Sequence, residues 1–325
     1  MSRPGEALIT IVMPVYNGSS TLRQVFDGLE MQHDKQLVKE IIIIDDVSKD
    51  DSSKQIAGYA KSSSYKVIPI YHTESSGLAG GYNEGTKSAT TDYVITMHQD
   101  IVLTDRDSFS KMVTPLLEDK RVWATYPVLL HPHEVWKQYP FWQKCMFSRL
   151  VDKKSPMLTG KFDCFSRKLL ESENFFDNKT YRTAGEDSDL KIKMSRRGLK
   201  SIDPNVEVIH LQSIEKSFGL KKFIKKEAQY AEAQGVVLRK HGIHDIKGVI
   251  LSFFRQILLV GLLIPFVNFF AAILIIVYAF MYTKLVYEEE YRDPRIVLVP
   301  FINIYLLFVA LFVSVRGFIR GRQVI

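Results

Sequence analysis

Two runs near the end of this 325-residue chain limit its possible folds more than any other feature. Ile257 to Thr283 and Ile296 to Val315 each lack a single charged side chain. Both are long enough to cross about 30 Å of hydrocarbon, which takes roughly 20 apolar residues. Charge divides the chain along the same line. Met1 to Gln212 carries 28 Lys+Arg against 28 Asp+Glu, Ser213 to Val249 carries 8 against 4, and Ile250 to Ile325 carries 7 against 4. A nucleic-acid binder places its basic stripe on the folded domain. Here the excess lies just before and inside the apolar tail, which favours a membrane surface and sets nucleic acid aside.

Lys247 and Arg255 precede the first run, Arg316, Arg320 and Arg322 follow the second, and the connection Lys284 to Arg295 is rich in acid. By the positive-inside rule this predicts a hairpin of two transmembrane helices, about 257–283 and 296–316, with both ends cytoplasmic. Pro265 and Asn268 leave open a split of the first stretch into an in-plane helix and a span. Leu220 to Lys240 mixes six cations with Phe223, Ile224 and Val236, as an interfacial helix does, or else it is a solvated linker. The expected domains are 1–212, a basic segment 213–249 and a membrane domain 250–325. Ala7 to Val15 is too short and too broken by Pro14 for a signal peptide. The expected location is therefore the cell membrane, multi-pass, with the front domain cytoplasmic. Cys145 and Cys164 stand alone, without metal-ligand spacing, which suits a reducing compartment.

The front alternates strand and helix. Leu8 to Val15, Glu40 to Asp45, Lys66 to Tyr71 and Tyr93 to Met97 read as strands, with helices around Leu22 to Leu29, Gln55 to Ala60 and up to Ala89. Ile41 to Ile44 is the continuous β-branched run of a strand covered on both faces. Further on, the pattern predicts a helix at Phe109 to Leu117, a strand at Val122 to Val128, an edge strand at Lys161 to Phe165, a helix from Glu186 to Arg197 and a last strand at Val206 to Leu211. Such alternation predicts an α/β fold with a mostly parallel, Rossmann-like central sheet, whose ligands bind beyond the carboxyl ends of the strands. His131 to Leu150, rich in Trp136, Tyr139, Phe141, Trp142 and Phe147, either lines a groove or packs as core.

Four polar stations fall in order along this frame: VMPVYN (Val12 to Asn17), IDDVSKDDS (Ile44 to Ser52), HQD (His98 to Asp100) and GEDSDL (Gly185 to Leu190). Together with GLAGGYNEG (Gly77 to Gly85), the ordered set over Leu8 to Ser213 resembles the family 2 glycosyltransferases of the GT-A fold, in a membrane-bound form with a C-terminal transmembrane hairpin. The resemblance implies a GT-A nucleotide-diphospho-sugar transferase fold followed by transmembrane helices. It also implies transfer from a nucleotide-sugar donor, with inversion, to a hydroxyl of a lipid-linked glycan, serving polysaccharide, glycolipid or protein-glycan assembly.

A diphosphate leaving group calls for an oxygen-ligated Mg²⁺ or Mn²⁺, and Asp100, at a strand end, is the best carboxylate on offer. Members of the family usually show Asp-x-Asp here, whereas this chain has His98 in the first place. His210 is similar in position to an imidazole that relatives give to the same metal, so Asp100 and His210 are the expected metal ligands. Pro14, Val15, Tyr16, Asn17, Asp45, Asp46, Gly77, Gly80, Asn83, His98 and Gln99 are the expected nucleotide-sugar contacts, with Asp45 or Asp46 reading the base edge as the resemblance implies. The resemblance implies Asp187 as general base, its ionised form favoured by a helix N-terminus, and Glu186 as the residue that binds or orients the acceptor. Two other readings stand beside this one. A polyprenyl-phosphate sugar synthase, of the kind that makes dolichol-phosphate mannose, would use Lys153, Lys154, Lys161 and Arg167 on its acceptor phosphate. A non-catalytic nucleotide-sugar-binding membrane protein is the third.

Overall fold

The computed structural model describes residues 7–325. In chain order the elements are β1 (Ile9–Val15), α1 (Leu22–Glu30), β2 (Val38–Asp45), α2 (Ser52–Ser62), β3 (Val67–Tyr71), α3 (Gly77–Ser88), β4 (Tyr93–Met97), β5 (Ile101–Leu103), α4 (Ser108–Glu118), β6 (Val122–Thr125) and β7 (Val128–Leu130). There follow α5 (His133–Trp136), α6 (Phe141–Phe147), β8 (Ser155–Pro156), β9 (Phe162–Ser166), α7 (Arg167–Ser172), α8 (Glu186–Arg196), β10 (Lys200–Ile202) and β11 (Glu207–His210). Helices complete the chain: α9 (Leu220–His241), α10 (Ile246–Ser252), α11 (Phe254–Gly261), α12 (Val267–Met281), α13 (Lys284–Glu289) and α14 (Val299–Arg320). Two compact units result. One comprises the residues through Pro132 with 152–178 and 186–213, and the other comprises 133–151, 179–185 and 214–325. The second unit thus takes in two stretches that the sequence assigned to the front.

The first unit is built on a seven-stranded sheet in the order β10-β6-β9-β4-β1-β2-β3, beside a four-stranded sheet β5-β11-β7-β8. β1 runs parallel to both β2 and β4, and all seven of its residues are buried, as a strand covered on both faces requires. Leu22, Val25, Phe26 and Leu29 of α1 close over one face, with Phe26 stacked on Tyr59 of α2. α3 closes the other, and its glycines let it lie directly on β1, where a Cβ at Gly85 would overlap the Val12 side chain.

Two strand expectations need correction. Val122 to Val128 is not one strand, because Tyr126 and Pro127 bend the chain out of the first sheet and into the second, and Pro127 has no N–H with which to continue a ladder. Lys161 to Phe165 is no edge. β9 lies antiparallel between β4 and β6, with Phe162, Cys164 and Phe165 wholly buried.

In the second unit the aromatic stretch packs as core. Trp136, Phe141 and Trp142 are buried together with Phe218, Phe223 and Leu306. α9 is not free to lie on an interface along its whole length, since one face packs against α14. A Cβ at Gly235 would overlap the carbonyl oxygen of Ser314, and one at Gly317 the carbonyl oxygen of Glu232. The expected hairpin of two continuous spans is also corrected. α11 stops at Gly261, Pro265 cannot extend it, and Phe266 takes a left-handed φ of 67° before α12 begins, which leaves α12 only 15 residues long. Among the described residues one helix, Pro294–Arg320, is long and apolar enough to cross a membrane. It leaves Phe301, Phe312 and Ile319 exposed.

The contact between α3 and β1 is tight enough to test. Gly85→Ala gains about 1 kcal/mol of helix propensity but drives a methyl into the stiff, fully buried Val12. Overpacking of this kind costs about 1–3 kcal/mol. The clash should win, and thermal unfolding of the variant in detergent should show a Tm lowered by about 2–4 °C for each kcal/mol of net loss.

Candidate functional site

Parallel pairing aligns Val15 with Asp45 and Val12 with Thr96, so the residues after β1, β2 and β4 emerge at one edge of the sheet. Hydrogen bonds then tie these loops together. The Gln99 amide grips the Tyr16 backbone, with Oε1 accepting from the Tyr16 N–H at 2.7 Å and Nε2 donating to its carbonyl at 3.0 Å. Gly18 is needed beneath it, for a Cβ there would lie 2.8 Å from the Gln99 amide carbon. Asn17 holds the next loop, its Oδ1 accepting from the Lys49 N–H at 2.8 Å and its own N–H donating to Ser48 Oγ at 3.0 Å. Gln99 and Asn17 thus brace the edge, and the Tyr16 ring remains 55% exposed and free to stack on a planar ligand.

The two aspartates at the end of β2 are already engaged within the chain. Asp45 accepts from the Ser48 N–H at 2.9 Å and from Ser53 Oγ. Asp46 accepts from Ser75 Oγ at 2.6 Å and from the N–H groups of Ser76 and Gly77 at 2.7 and 3.0 Å. His72 adds Nδ1 at 2.8 Å from Asp46 and places Nε2 2.6 Å from Glu84. Both partners of the imidazole are acceptors only, so both ring nitrogens donate. Burial opposes the ring's charge, yet Asp46 and Glu84 raise its pKa, while burial of Asp46 is outweighed by Ser75, His72, Ser76 and Gly77, which lower its own. Asp46 therefore organises the turn at Gly77, whose φ is +71°. Asn83 is likewise committed, donating to the Phe176 carbonyl at 2.8 Å and accepting from the Phe176 N–H at 3.0 Å. Gly80 serves close packing, since a Cβ would come within 2.8 Å of the Ser76 side chain.

Beyond β4 the structure gathers a second group. Antiparallel pairing of β5 with β11 sets His210 opposite Ile101 and so beside Asp100. Donor atoms of His98, Asp100 and His210 all fall within 4.8 Å of one another. His210 Nε2 is 3.3 Å from Asp100 Oδ2, and His98 Nδ1 is 3.8 Å from Asp100 Oδ1. The sequence placed His98 among the nucleotide contacts, whereas the geometry sets it with Asp100 and His210. His131 went unnoticed, though its ring nitrogen Nε2 lies 3.1 Å from His210 Nδ1. The signal was its position one residue past β7, which runs parallel to β11 and pairs Leu130 with Ile209.

This cluster fits a divalent ion. Asp100 Oδ1 and His98 Nε2 are buried with no hydrogen-bond partner, two lone-pair sites aimed at nothing in the protein. Burial, with Lys161 and His210 adding to it, lowers His98 to a pKa of about 3, and burial with His210 does the same for His131, so both rings are neutral near pH 7. Burial works to raise Asp100, but His210, His98 and Lys161 together hold it well below the usual carboxylate range. One carboxylate among imidazoles is a donor set that suits Mn²⁺ better than Mg²⁺.

A third group holds acids without such relief. Glu186 and Asp187 open α8, and Asp187 Oδ1 accepts from the Ser188 N–H at 2.7 Å. Burial, and then the charge of Asp187, push Glu186 up from 4.5 to about 7, and burial raises Asp187 as well. Desolvation thus works against the helix N-terminus at both acids, and for Glu186 the charge of Asp187 adds to it. Asp163, on β9 and in register with Thr96, joins them. Its Oδ2 accepts from the Thr159 N–H at 2.8 Å and from that of Gly160, and Oδ1 has no partner. Burial, with Asp187 adding to it, raises Asp163 to about 7 against those two bonds. Lys161 is the countercharge that acts on both groups, lowering Asp100, Asp163, Glu186 and Asp187 alike.

The raised value fixes a sign. Between pH 4.5 and about 7 folded Glu186 holds a proton that the unfolded chain has lost, so stability falls as pH rises through that window. Glu186→Gln should therefore raise the Tm relative to wild type above neutrality, and the gain should vanish below pH 4.5, as read by thermal melts across that range.

Comparison with known proteins agrees with this fold. Residues 10–173 match the model of glycosyl transferase family 2. A dolichyl N-acetyl-α-D-glucosaminyl phosphate 3-β-D-2,3-diacetamido-2,3-dideoxy-β-D-glucuronosyltransferase of Methanococcus voltae is 23% identical over 252 residues, covering 71% of this chain and 74% of that protein. The poly-β-1,6-N-acetyl-D-glucosamine synthase of Staphylococcus aureus is 29% identical over 117 residues, 36% of this chain and 27% of the synthase. Among solved structures, a mannosyltransferase of Pyrobaculum calidifontis, in complex with GDP-Man and Mn²⁺, superposes with a TM-score of 0.60 at 18% identity, covering 95% of this chain and 87% of its own. At that identity the likeness establishes the GT-A fold.

Proposed function

The chain belongs to glycosyl transferase family 2, and from that premise we propose that it is an inverting, membrane-anchored glycosyltransferase that moves a sugar from a nucleotide-sugar donor to a hydroxyl of a lipid-linked glycan. The observation that carries the reading is the separation of the polar groups into a His98–Asp100–His210 cluster and a Glu186–Asp187 pair, with Lys161 acting on both. A donor diphosphate needs the first and an acceptor hydroxyl the second. The relative of Methanococcus voltae bears the name of an enzyme acting on a dolichyl-linked sugar phosphate, which supports a lipid-linked acceptor here. The apolar helix Pro294–Arg320 and the exposed apolar side chains of α11 and α12 supply the membrane contact.

In this mechanism the nucleotide lies along Pro14 to Asn17 at the sheet edge, with its base against the exposed Tyr16 ring. The acceptor oxygen attacks the anomeric carbon from the face opposite the nucleotide. A new C–O bond forms, the bond to the diphosphate breaks with its electron pair leaving on the diphosphate oxygen, and the acceptor proton passes to the Asp187 carboxylate. Glu186 orients the acceptor. Asp100, His98 and His210 would hold a divalent ion, most suitably Mn²⁺, which would supply Lewis-acid stabilisation of the leaving diphosphate. One displacement with one base gives inversion.

The synthase of polyprenyl-phosphate sugars draws less support. Of the four cations its acceptor phosphate would use, Lys154 pairs with Glu207, and Arg167 is spent on Glu171 and the Thr91 carbonyl.

The test is release of nucleoside diphosphate from a panel of UDP- and GDP-sugars by the detergent-purified chain, with Mn²⁺ or EDTA and with or without a membrane-lipid extract. Lipid-dependent and EDTA-sensitive release is expected, lowered about 10²–10⁴-fold in Asp187→Asn, the range for loss of a general base, and losing its Mn²⁺ response in Asp100→Ala. Transfer to bare polyprenyl phosphate would select the synthase instead. Donor binding that is unchanged by Asp187→Asn, with no turnover from any donor, would identify a binding protein.

A further inference from the structure

We propose that Lys161 binds the donor: its ammonium holds the outer phosphate of the nucleoside diphosphate, the one that leaves from the sugar, with or without a divalent ion. The inference deepens the function proposed above and rests on it for the identity of the ligand. Lys161 and every group it is argued to face lie in the first compact unit. The backbone sets this lysine beside the donor edge. Its carbonyl accepts from the His98 N–H at 2.9 Å, just before β9 pairs Phe162 with Met97. His98 in turn precedes Gln99, whose amide grips Tyr16. The turn that carries Lys161 is held from two sides. The wholly buried Asp163 carboxylate takes the N–H of Thr159 at 2.8 Å and that of Gly160, and the buried Tyr82 hydroxyl donates to the Gly160 carbonyl at 2.7 Å. Gly160 supplies the left-handed φ of +73° that this turn requires.

The charge so placed has no partner in the protein. Elsewhere a lysine beside a buried carboxylate closes on it, as Lys66 does on Glu40 at 2.9 Å and Lys193 on Asp189 at 2.8 Å. Lys161 is half-buried, yet among the described residues its ammonium makes no ion pair and no hydrogen bond. It is still near enough to lower Asp100, Asp163, Glu186 and Asp187 and to oppose protonation of His98 and His131. An ammonium that acts on four carboxylates and touches none of them is kept apart from them, and a partly desolvated cation without an acceptor is costly. Asp100 Oδ1, His98 Nε2 and Asp163 Oδ1, all buried, also lack partners. A diphosphate answers the lysine directly, since its oxygens accept charge-assisted hydrogen bonds from an ammonium. A lipid-borne acceptor phosphate offers the same chemistry, but the bond of Lys161 to the strand end of His98 favours the donor.

The test is titration calorimetry on the full chain in detergent, with UDP, GDP, UMP and GMP in EDTA, comparing wild type with Lys161→Met, which keeps the stem and removes the charge. Wild type should bind the diphosphate of its preferred base more tightly than the monophosphate. In Lys161→Met the diphosphate affinity should fall about 10–100-fold, as for a lost hydrogen bond to a charged group, while the monophosphate affinity moves less than about threefold. A lysine that only offsets the neighbouring acids gives no such distinction. Equal loss for both nucleotides, unchanged diphosphate affinity, or a wild type that binds neither diphosphate in EDTA would each overturn the proposal. Farnesyl phosphate, titrated in parallel, separates the two phosphate sources: its binding lost in the variant, with diphosphate binding kept, would give Lys161 to an acceptor and overturn the proposal too. Should the Met variant fail to accumulate, Lys161→Gln decides by the same readings. Turnover in the panel above without diphosphate affinity in EDTA defeats the role of Lys161 alone. The expected binding without turnover defeats the proposed function and leaves Lys161 as assigned.

Discussion

Backbone hydrogen bonding between β1 and its two parallel neighbours determines where each polar group of the first unit falls. Because β1 pairs with both β2 and β4 in the same direction, the loops after Val15, Asp45 and Met97 leave at one edge. Side chains then lock those loops to one another, Gln99 to Tyr16 and Asn17 to the segment at Ser48 and Lys49. The short second sheet repeats the device, with pairing around β11 carrying His210 to Asp100 and His131 to His210. Residues more than a hundred positions apart meet because strand register leaves them no alternative.

Two acids in this unit, both withdrawn from water, meet opposite fates. Asp100 stays charged since imidazoles and Lys161 outweigh its desolvation, whereas Glu186 is driven towards neutrality since its neighbour is another carboxylate. The neighbour decides, as burial is common to both. An anion kept permanently charged suits the holding of a cation. An acid poised near pH 7 can offer a hydrogen bond to the acceptor that Glu186 is proposed to orient, and the division of labour proposed here follows that difference.

The sheet and the strand-end stations were legible in the sequence because they depend on local pattern: the Ile41 to Ile44 run, the period of α1, and polar turns at strand ends. Asp100 stood out as a carboxylate at a strand end, whereas His210 was singled out only by the family resemblance. Other features depend on partners distant in sequence. Nothing local in FDCFS marks β9 as an interior strand, and nothing in IDD reveals that Asp46 is filled by Ser75, Ser76, Gly77 and His72. His131 becomes visible only through the pairing of β7 with β11. The raised pKa of Glu186 has no local cue in the sequence, because burial and the repulsion of Asp187 belong to the assembled site. The first apolar run left two readings open, and the break at Pro265 is the one found. Composition ignores backbone geometry, and Pro265 with Phe266 ends a helix that hydropathy alone would continue.

The contact of α9 with α14 has a consequence for what the apolar helix is. At Gly235 and Gly317 the two backbones touch with no side chain between them, and Glu232 with Arg316 sits beside the crossing. Small residues of this kind allow close helix association where apolar side chains alone give no preference for one partner over surrounding lipid. A generic hydrophobic anchor of equal length would enter a bilayer just as well but would lack the notch that receives α9. In this chain the membrane-length helix is thus also a structural part with a shape, and its surface is as specific as that of any buried helix in the molecule.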